Sequence, residues 1–322
     1  MTNRQIPLKE IETARGRIDG LALRTPLVRL NVEGAPADIW LKLETLQPVG
    51  SFKVRGAGNA MCATDPRPMS VGVWTASAGN MGYALAWVAR QIGAPCTVIV
   101  PHDAPEAKRE AIERLGACIV EVPFPDYQQI QRARHHEDMR GLLVHPFADP
   151  AVMAGNGTIG LEILEDLPDV DTIVVPYGGG GLSCGIASAV RTLRPQTRVL
   201  ACEVKTAAPL AASLAAGKPI EVDYRASFVT GMGAPFVFPQ MWPLASHLLD
   251  GSLVVRLEQV ADAIRLLATR NHVIAEGAGA VPVAAALAGL AGTGKVVCVV
   301  SGGNIDVDVL VRILQDGGNG DN

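Results

Sequence analysis

The sequence predicts an α/β protein built from two open, twisted, mostly parallel sheets flanked by helices. Three observations carry that expectation. Short β-branched runs alternate with longer amphipathic stretches, as right-handed βαβ units require. The runs fall into two series along the chain. Glycine is abundant, at 34 of 322 residues, while aromatic residues reach only 4%, which suits tight βα turns better than a β-sandwich.

In the first series, VGVWTA (71–76), CTVIVP (96–101), CIVEVP (118–123) and LLVHPF (142–147) read as buried strands. Helical patterns near 79–93, 105–116 and 126–139 lie between them. In the second series, TIVVPYG (172–178), VLACEV (199–204) and VVCVVSG (296–302) read as strands, with helices near 181–194 and 258–272. Two parallel sheets in one chain imply two domains with a cleft between them. The expected division is 1–52 with 148–322 as a large domain and 53–147 as a small one.

Composition narrows the function. Apolar residues make up 48% and charged residues 19%, enough burial to offset the entropy of ordering the chain. Lys and Arg total 28 against 32 Asp and Glu, so there is no electrostatic footprint for nucleic acid or an anionic membrane. A small-molecule partner is expected instead. The six cysteines form no C-x-x-C pair, and Cys96, Cys118, Cys202 and Cys298 lie in strand-like runs, so reduced, buried thiols are expected. The charged N-terminus does not read as a secretory signal. The 18 uncharged residues between Glu276 and Lys295 are weakly apolar and read as a buried helix rather than a membrane span. A cytoplasmic location follows, with the terminal DGGNGDN expected to fray.

Four strand ends carry candidate chemistry. Gly178-Gly179-Gly180-Gly181-Leu182 follows one apolar strand and opens a helix. Consecutive glycine N–H groups can curl around an anion at the positive end of a helix, which makes this a phosphate cradle; the alternative is a plain tight turn. It lacks the Gly-Lys-Ser/Thr of a Walker loop. Lys53, in Gly50-Ser51-Phe52-Lys53-Val54-Arg55-Gly56, sits in an apolar setting that lowers an amine pKa, with Ser51 as a candidate helix N-cap. Ser77-Ala78-Gly79-Asn80-Met81-Gly82 and Ser301-Gly302-Gly303-Asn304 offer hydroxyl, amide and bare backbone N–H groups where ligands bind in open α/β sheets. One site for a phosphate and one for an amine suggest a phosphorylated aldehyde cofactor. The six histidines show no metal-ligand spacing.

The segments KLETLQPVGSFKVRGA (42–57), TASAGNMG (75–82), GNGTIGLEIL (155–164), PYGGGGL (176–182) and SGGN (301–304) occur in that order. On these motifs the chain resembles the pyridoxal-phosphate enzymes of fold type II, specifically the serine/threonine dehydratase and serine racemase family, from about Arg24 to Asp306. The resemblance implies a tryptophan synthase β-like fold with pyridoxal 5'-phosphate in the interdomain cleft, the large domain binding cofactor and the small one substrate. Lys53 would be the Schiff-base lysine, with Phe52 packed on the pyridine ring. Gly178, Gly179, Gly180, Gly181 and Leu182 would bind the phosphate through main-chain N–H groups. Asn80 would reach the ring hydroxyl and Ser301 the pyridine nitrogen, while Glu276 keeps its family position by the cofactor. Ser77, Ala78, Asn80 and Met81 would hold the substrate carboxylate.

The implied reaction is β-elimination of L-threonine or L-serine to a 2-oxo acid and ammonia, with Lys53 removing the α-proton. A neutral hydroxyl on the ring nitrogen makes a weaker electron sink, which favours prompt loss of the β-substituent. Racemases of the family carry Ser-Ser-Gly-Asn-His, but the second serine is Ala78 here, and alanine cannot transfer a proton. Elimination is therefore expected over serine racemisation; another hydroxy-amino-acid ammonia-lyase or a β-replacement enzyme are the remaining alternatives. A non-enzymatic sensor is disfavoured by the intact Lys53. Met81 and Tyr83 replace the usual His-x-Gln, and Val229-Thr230-Gly231 the usual Ala-Asp-Gly. The family's cation ligands correspond to Glu203, Ala207 and Pro209, and proline brings no carboxylate, so no metal is expected. The resemblance also implies a homodimer. With the chain closing at Asn322, no C-terminal regulatory domain is expected.

Overall fold

A computed structural model describes residues 5–316. The chain opens with α1 (Leu8–Arg17), then an antiparallel pair of β1 (Leu27–Arg29) and β2 (Asp38–Leu43). Helices α2 (Lys53–Cys62) and α3 (Pro66–Val71) lead into β3 (Val73–Ala76). Then come α4 (Asn80–Ile92), β4 (Cys96–Pro101), α5 (Glu106–Glu113), β5 (Cys118–Val122), α6 (Phe124–Ala133) and β6 (Leu142–Leu143). The long α7 (Pro150–Asp166) carries the chain to β7 (Thr172–Pro176), α8 (Gly181–Leu193) and β8 (Arg198–Val204). Next are α9 (Pro209–Ala216), α10 (Trp242–Leu248), β9 (Ser252–Val255), α11 (Leu257–Leu266) and α12 (Gly277–Leu287). Finally β10 (Lys295–Val300) and α13 (Val307–Asp316) close the described chain.

The strands form two sheets. One has the order β1-β2-β10-β7-β8-β9 and is parallel apart from β1; the other, β5-β4-β3-β6, is wholly parallel. Both are covered by helices on both faces, as the α/β expectation requires. In the larger sheet Ile173, Val175, Val297 and Val299 feed one core, while Val174, Val296, Cys298 and Val300 feed the other. Strand alternation thus fills two cores from one run of β-branched residues. The apolar segment after Glu276 is the buried α12, and no helix among the described residues is long and apolar enough to cross a membrane.

Several expected boundaries move. LLVHPF keeps only Leu142–Leu143 as strand, because Pro146 lacks the N–H a parallel ladder needs. The helix expected to reach 139 stops at Ala133, where Arg134 turns left-handed at φ 56°, and the one expected to reach 116 stops at Glu113. All six cysteines are free, and Cys96, Cys184, Cys202 and Cys298 are buried. Cys118, expected to be buried, is exposed because β5 is an edge strand. Residues 317–322 of the expected fraying tail lie outside the described residues.

α7 joins the two halves. Its Gly155 lets α2 approach so closely that a Cβ there would sit 2.3 Å from the Arg55 carbonyl oxygen. On its other side a Cβ on Gly185 of α8 would lie 2.4 Å from the Met153 carbonyl oxygen. Beside this contact lies a buried ion network. Arg55 clasps both oxygens of Glu44 at 2.8 Å and both of Glu162 at 2.6 and 2.9 Å. Lys42 reaches Glu162 at 2.6 Å and the Thr25 carbonyl at 2.6 Å, while Thr25 donates to Glu44 at 2.6 Å. Two cations balance two carboxylates, each with further hydrogen bonds, which is what makes burial of ions tolerable. Arg55→Met would leave Glu44 buried without its cation, and should cost about 3–5 kcal/mol of stability in urea unfolding. A loss below about 1 kcal/mol would contradict this reading of the network.

Candidate active site

Ligands of open α/β sheets bind beyond the carboxyl ends of the strands, and here the ends of β3, β7 and β10 converge near the start of α2. Backbone hydrogen bonds tie the segments together. Phe52 N–H donates to the Ser301 carbonyl at 3.0 Å and Gly303 N–H to the Gly50 carbonyl at 2.9 Å, with a bridge between Ser51 and Gly302. Glu276 N–H donates to the Gly302 carbonyl at 3.0 Å. Side chains continue the join. Asn304 Nδ2 donates to the Val49 carbonyl at 2.9 Å and to Asn80 Oδ1 at 2.8 Å, and Asn80 Nδ2 donates to Glu276 Oε1 at 2.7 Å. Three of the four motifs therefore meet at one place. Ser51 does not act as the expected N-cap: Phe52 occupies that position, and the Ser51 hydroxyl is buried without a protein partner.

Lys53 is the first residue of α2, its Nζ donating to the Pro146 carbonyl at 2.7 Å and lying 5.0 Å from the Phe52 ring centroid. Burial pushes its pKa down to about 8, against the opposing pull of Glu276. Glu276 is buried at the start of α12, and burial raises its pKa to about 7, opposed by the Asn80 hydrogen bond and the charges of Lys108 and Lys53. Near neutrality the site thus holds an amine and an acid that both change charge within a unit or so of pH 7.

The turn after β6 connects Lys53 to the glycine loop. His145 is buried, and its Nδ1 accepts N–H groups from Phe147 at 3.3 Å and Ala148 at 3.0 Å. That places its proton on Nε2, 3.2 Å from the Gln131 carbonyl. Burial, and then the charges of Arg134 and Lys53, lower its pKa to about 4, so it stays neutral. The ring of Phe147 lies against the glycine loop: a Cβ on Gly179 would come 2.2 Å from it, and one on Gly181 would come 2.6 Å from the Phe147 carbonyl. Gly180 has φ +87°, reached easily only by glycine. The loop between β7 and α8 is therefore bare backbone by necessity, and Leu182 is buried in the first turn of α8. Ser301 is buried at the end of β10.

Ser77 follows the last residue of β3, and Asn80 opens α4. Ser77 N–H donates to the Ile99 carbonyl at 3.1 Å, and Ser77 Oγ accepts from Gly79 N–H at 3.4 Å. Ala78 is partly buried and Met81 buried, and the first N–H groups of α4 form a positive helix end near the cleft.

Glu203 lies elsewhere, near the end of β8. Its Oε1 accepts Leu210 N–H at 2.9 Å, and its Oε2 accepts Ala211 N–H at 2.8 Å and the Ser252 hydroxyl at 2.7 Å. Pro209 begins α9 there, so the carboxylate caps a helix.

A desolvated amine beside an aromatic ring, close to a side-chain-free loop at a helix start, fits a phosphorylated aromatic aldehyde. Sequence reasoning named Asn304 only within its motif and missed Gln131, His145, Pro146 and Phe147, though the last three lie in a quoted run. A proline inside a strand-like run was the available signal.

The protein-family model described as pyridoxal-phosphate dependent enzyme matches residues 18–302. The L-threonine ammonia-lyase of Thermotoga maritima is 39% identical over 316 residues, covering 97% of this chain and 79% of that one. The structure of maize serine racemase matches with a TM-score of 0.85 at 31% identity, covering 98% of both chains. The processed form of threonine deaminase isoform 2 from Solanum lycopersicum matches with a TM-score of 0.86 at 27% identity, covering 97% of this chain and 88% of that one.

Only the neutral amine is nucleophilic. Burial lowers the Lys53 pKa to about 8, so if this amine is the one that captures pyridoxal phosphate, capture by the apoprotein should accelerate as pH rises and level off with a midpoint near that value. Stopped-flow absorbance measures this, and a midpoint above about 10, the range of an ordinary lysine, would contradict it.

Proposed function

The chain belongs to the pyridoxal-phosphate dependent enzyme family, and we propose that it is an ammonia-lyase that deaminates L-threonine or L-serine by β-elimination. The observation that carries this reading is that one turn, residues 145–148, receives the Lys53 amine on the Pro146 carbonyl and packs Phe147 on the glycine loop. An amine site and an anion site joined by one turn suit the two ends of one cofactor. When bound, pyridoxal phosphate supplies an aldehyde for amines and an electron sink that acidifies the substrate Cα–H.

In this proposal Gly178, Gly179, Gly180, Gly181 and Leu182 hold the phosphate through backbone N–H groups at the start of α8. Phe52 packs on the ring, Asn80 faces the ring hydroxyl and Ser301 Oγ the ring nitrogen. Glu276 orients Asn80 through the 2.7 Å hydrogen bond. The substrate carboxylate sits at Ser77, Ala78, Asn80 and Met81, where the α4 dipole favours an anion. Lys53 Nζ removes the α-proton, a task suited to an amine with a pKa near neutrality. Loss of the β-hydroxyl and hydrolysis then give a 2-oxo acid and ammonia.

Elimination is favoured over racemisation because inversion needs a proton from the opposite face of Cα, and Ala78 offers none. Activity without a divalent cation belongs to the same proposal, since the Glu203 oxygens already accept three protein donors. So do a large cofactor-binding domain of 1–52 and 148–322, a small substrate-binding domain of 53–147, a cytoplasmic location argued from the charged N-terminus and unpaired cysteines, and a homodimer supported by family resemblance.

Incubating the holoenzyme with L-threonine and L-serine should yield ammonia with 2-oxobutyrate or pyruvate, with less than about twofold loss in EDTA. Chiral chromatography should find little D-serine, and more of it with Ala78→Ser. D-serine forming as fast as pyruvate would overturn the proposal in favour of a racemase.

A further inference from the structure

The parallel ladder between β6 and β3 stops one rung short. Leu142 N–H donates to the Gly72 carbonyl at 2.9 Å and Val144 N–H to the Trp74 carbonyl at 2.9 Å. Two residues on, the next rung would join residue 146 to the Ala76 carbonyl, but Pro146 has no N–H. Ala76 is buried at the end of β3, so its carbonyl needs another donor. α6 provides it. Gln131 Nε2 donates to the Ala76 carbonyl at 2.9 Å and to the Tyr127 hydroxyl oxygen at 3.0 Å. The Tyr127 hydroxyl lies 3.4 Å from the same carbonyl. The other side of the Ala76–Ser77 peptide is held too, by Ser77 N–H on the Ile99 carbonyl.

We infer that Gln131, backed by Tyr127, is a positioning residue for substrate: it replaces the ladder donor missing at Pro146 and so fixes the direction in which loop 77–81 presents its amides. This rests on the proposed role of that loop in holding the substrate carboxylate. An anion held by backbone N–H groups needs each of them correctly aimed, and the peptide that opens the loop sets their course. Gln131 also ties this loop to the lysine. Its carbonyl faces His145 Nε2 at 3.2 Å, and His145 shapes the turn whose Pro146 carbonyl receives Lys53.

The test compares wild-type holoenzyme with Gln131→Met, which keeps bulk and loses the donor, and with Tyr127→Phe. L-alanine, an amino acid with no β leaving group, serves as the binding probe, read by the change in cofactor absorbance. Gln131→Met should weaken L-alanine binding and raise KM by about tenfold or more, as expected for a stranded buried acceptor. Its kcat should stay within about threefold and its affinity for pyridoxal phosphate within about twofold. Amide hydrogen exchange should quicken in the peptide covering 76–83. Tyr127→Phe should move the same quantities less, and carries the test alone if Gln131→Met does not fold. Unchanged L-alanine affinity, or an equal loss of cofactor affinity, would overturn the inference. In the wild type L-alanine should protect amides 77–81 from exchange. If it does and the variants bind it as tightly as wild type, the positioning role alone fails; if it does not, the carboxylate site fails as well.

Discussion

A lysine amine in water is protonated at neutral pH and useless as a nucleophile, so the role proposed for Lys53 depends on taking that amine out of water without pairing it tightly with an anion. The structure does this by offering Nζ a neutral acceptor, the Pro146 carbonyl, at 2.7 Å. A carbonyl satisfies the amine's hydrogen bond without adding the full negative charge that would restore its pKa. The nearest acid with an effect, Glu276, is engaged by Asn80 and is itself pushed toward neutrality by burial.

That contact lies within the half built on the smaller sheet, whose core also takes Val54, Ala57 and Met61 of α2. Lys53 begins a helix packed between α7 and α4, and Pro146 follows the last strand of the smaller sheet. Holding the two in register takes the bare backbone contacts of α7 with α2 and α8 and the buried ions around Arg55, two residues beyond the lysine. Rigidity comes from packing and paired charges, and the candidate site lies in loops at strand ends.

Much of this was legible in the sequence. The alternation of β-branched runs and amphipathic helices pointed to two parallel sheets because buried parallel strands are uniformly apolar. The placement of Lys53, the glycine loop and SGGN beside strand ends and helix starts was legible because glycine-rich segments directly follow or precede apolar runs. β2 was hidden by Asp38 and Lys42, whose charges break the apolar signal, yet Lys42 is buried by virtue of Glu162, which arrives on α7 from far along the chain. LLVHPF misled in the opposite direction: it is apolar enough for a full strand, but Pro146 ends the ladder. His145 and Gln131 could not be singled out, since their partners are turns and carbonyls that exist only once the fold has formed.

The most direct test is to reduce the holoenzyme with borohydride, digest it, and locate the pyridoxyl group by mass spectrometry. The account predicts a single modified peptide carrying the group on Lys53. Modification of another lysine in its place, or a holoenzyme with no covalently trapped cofactor, would contradict it.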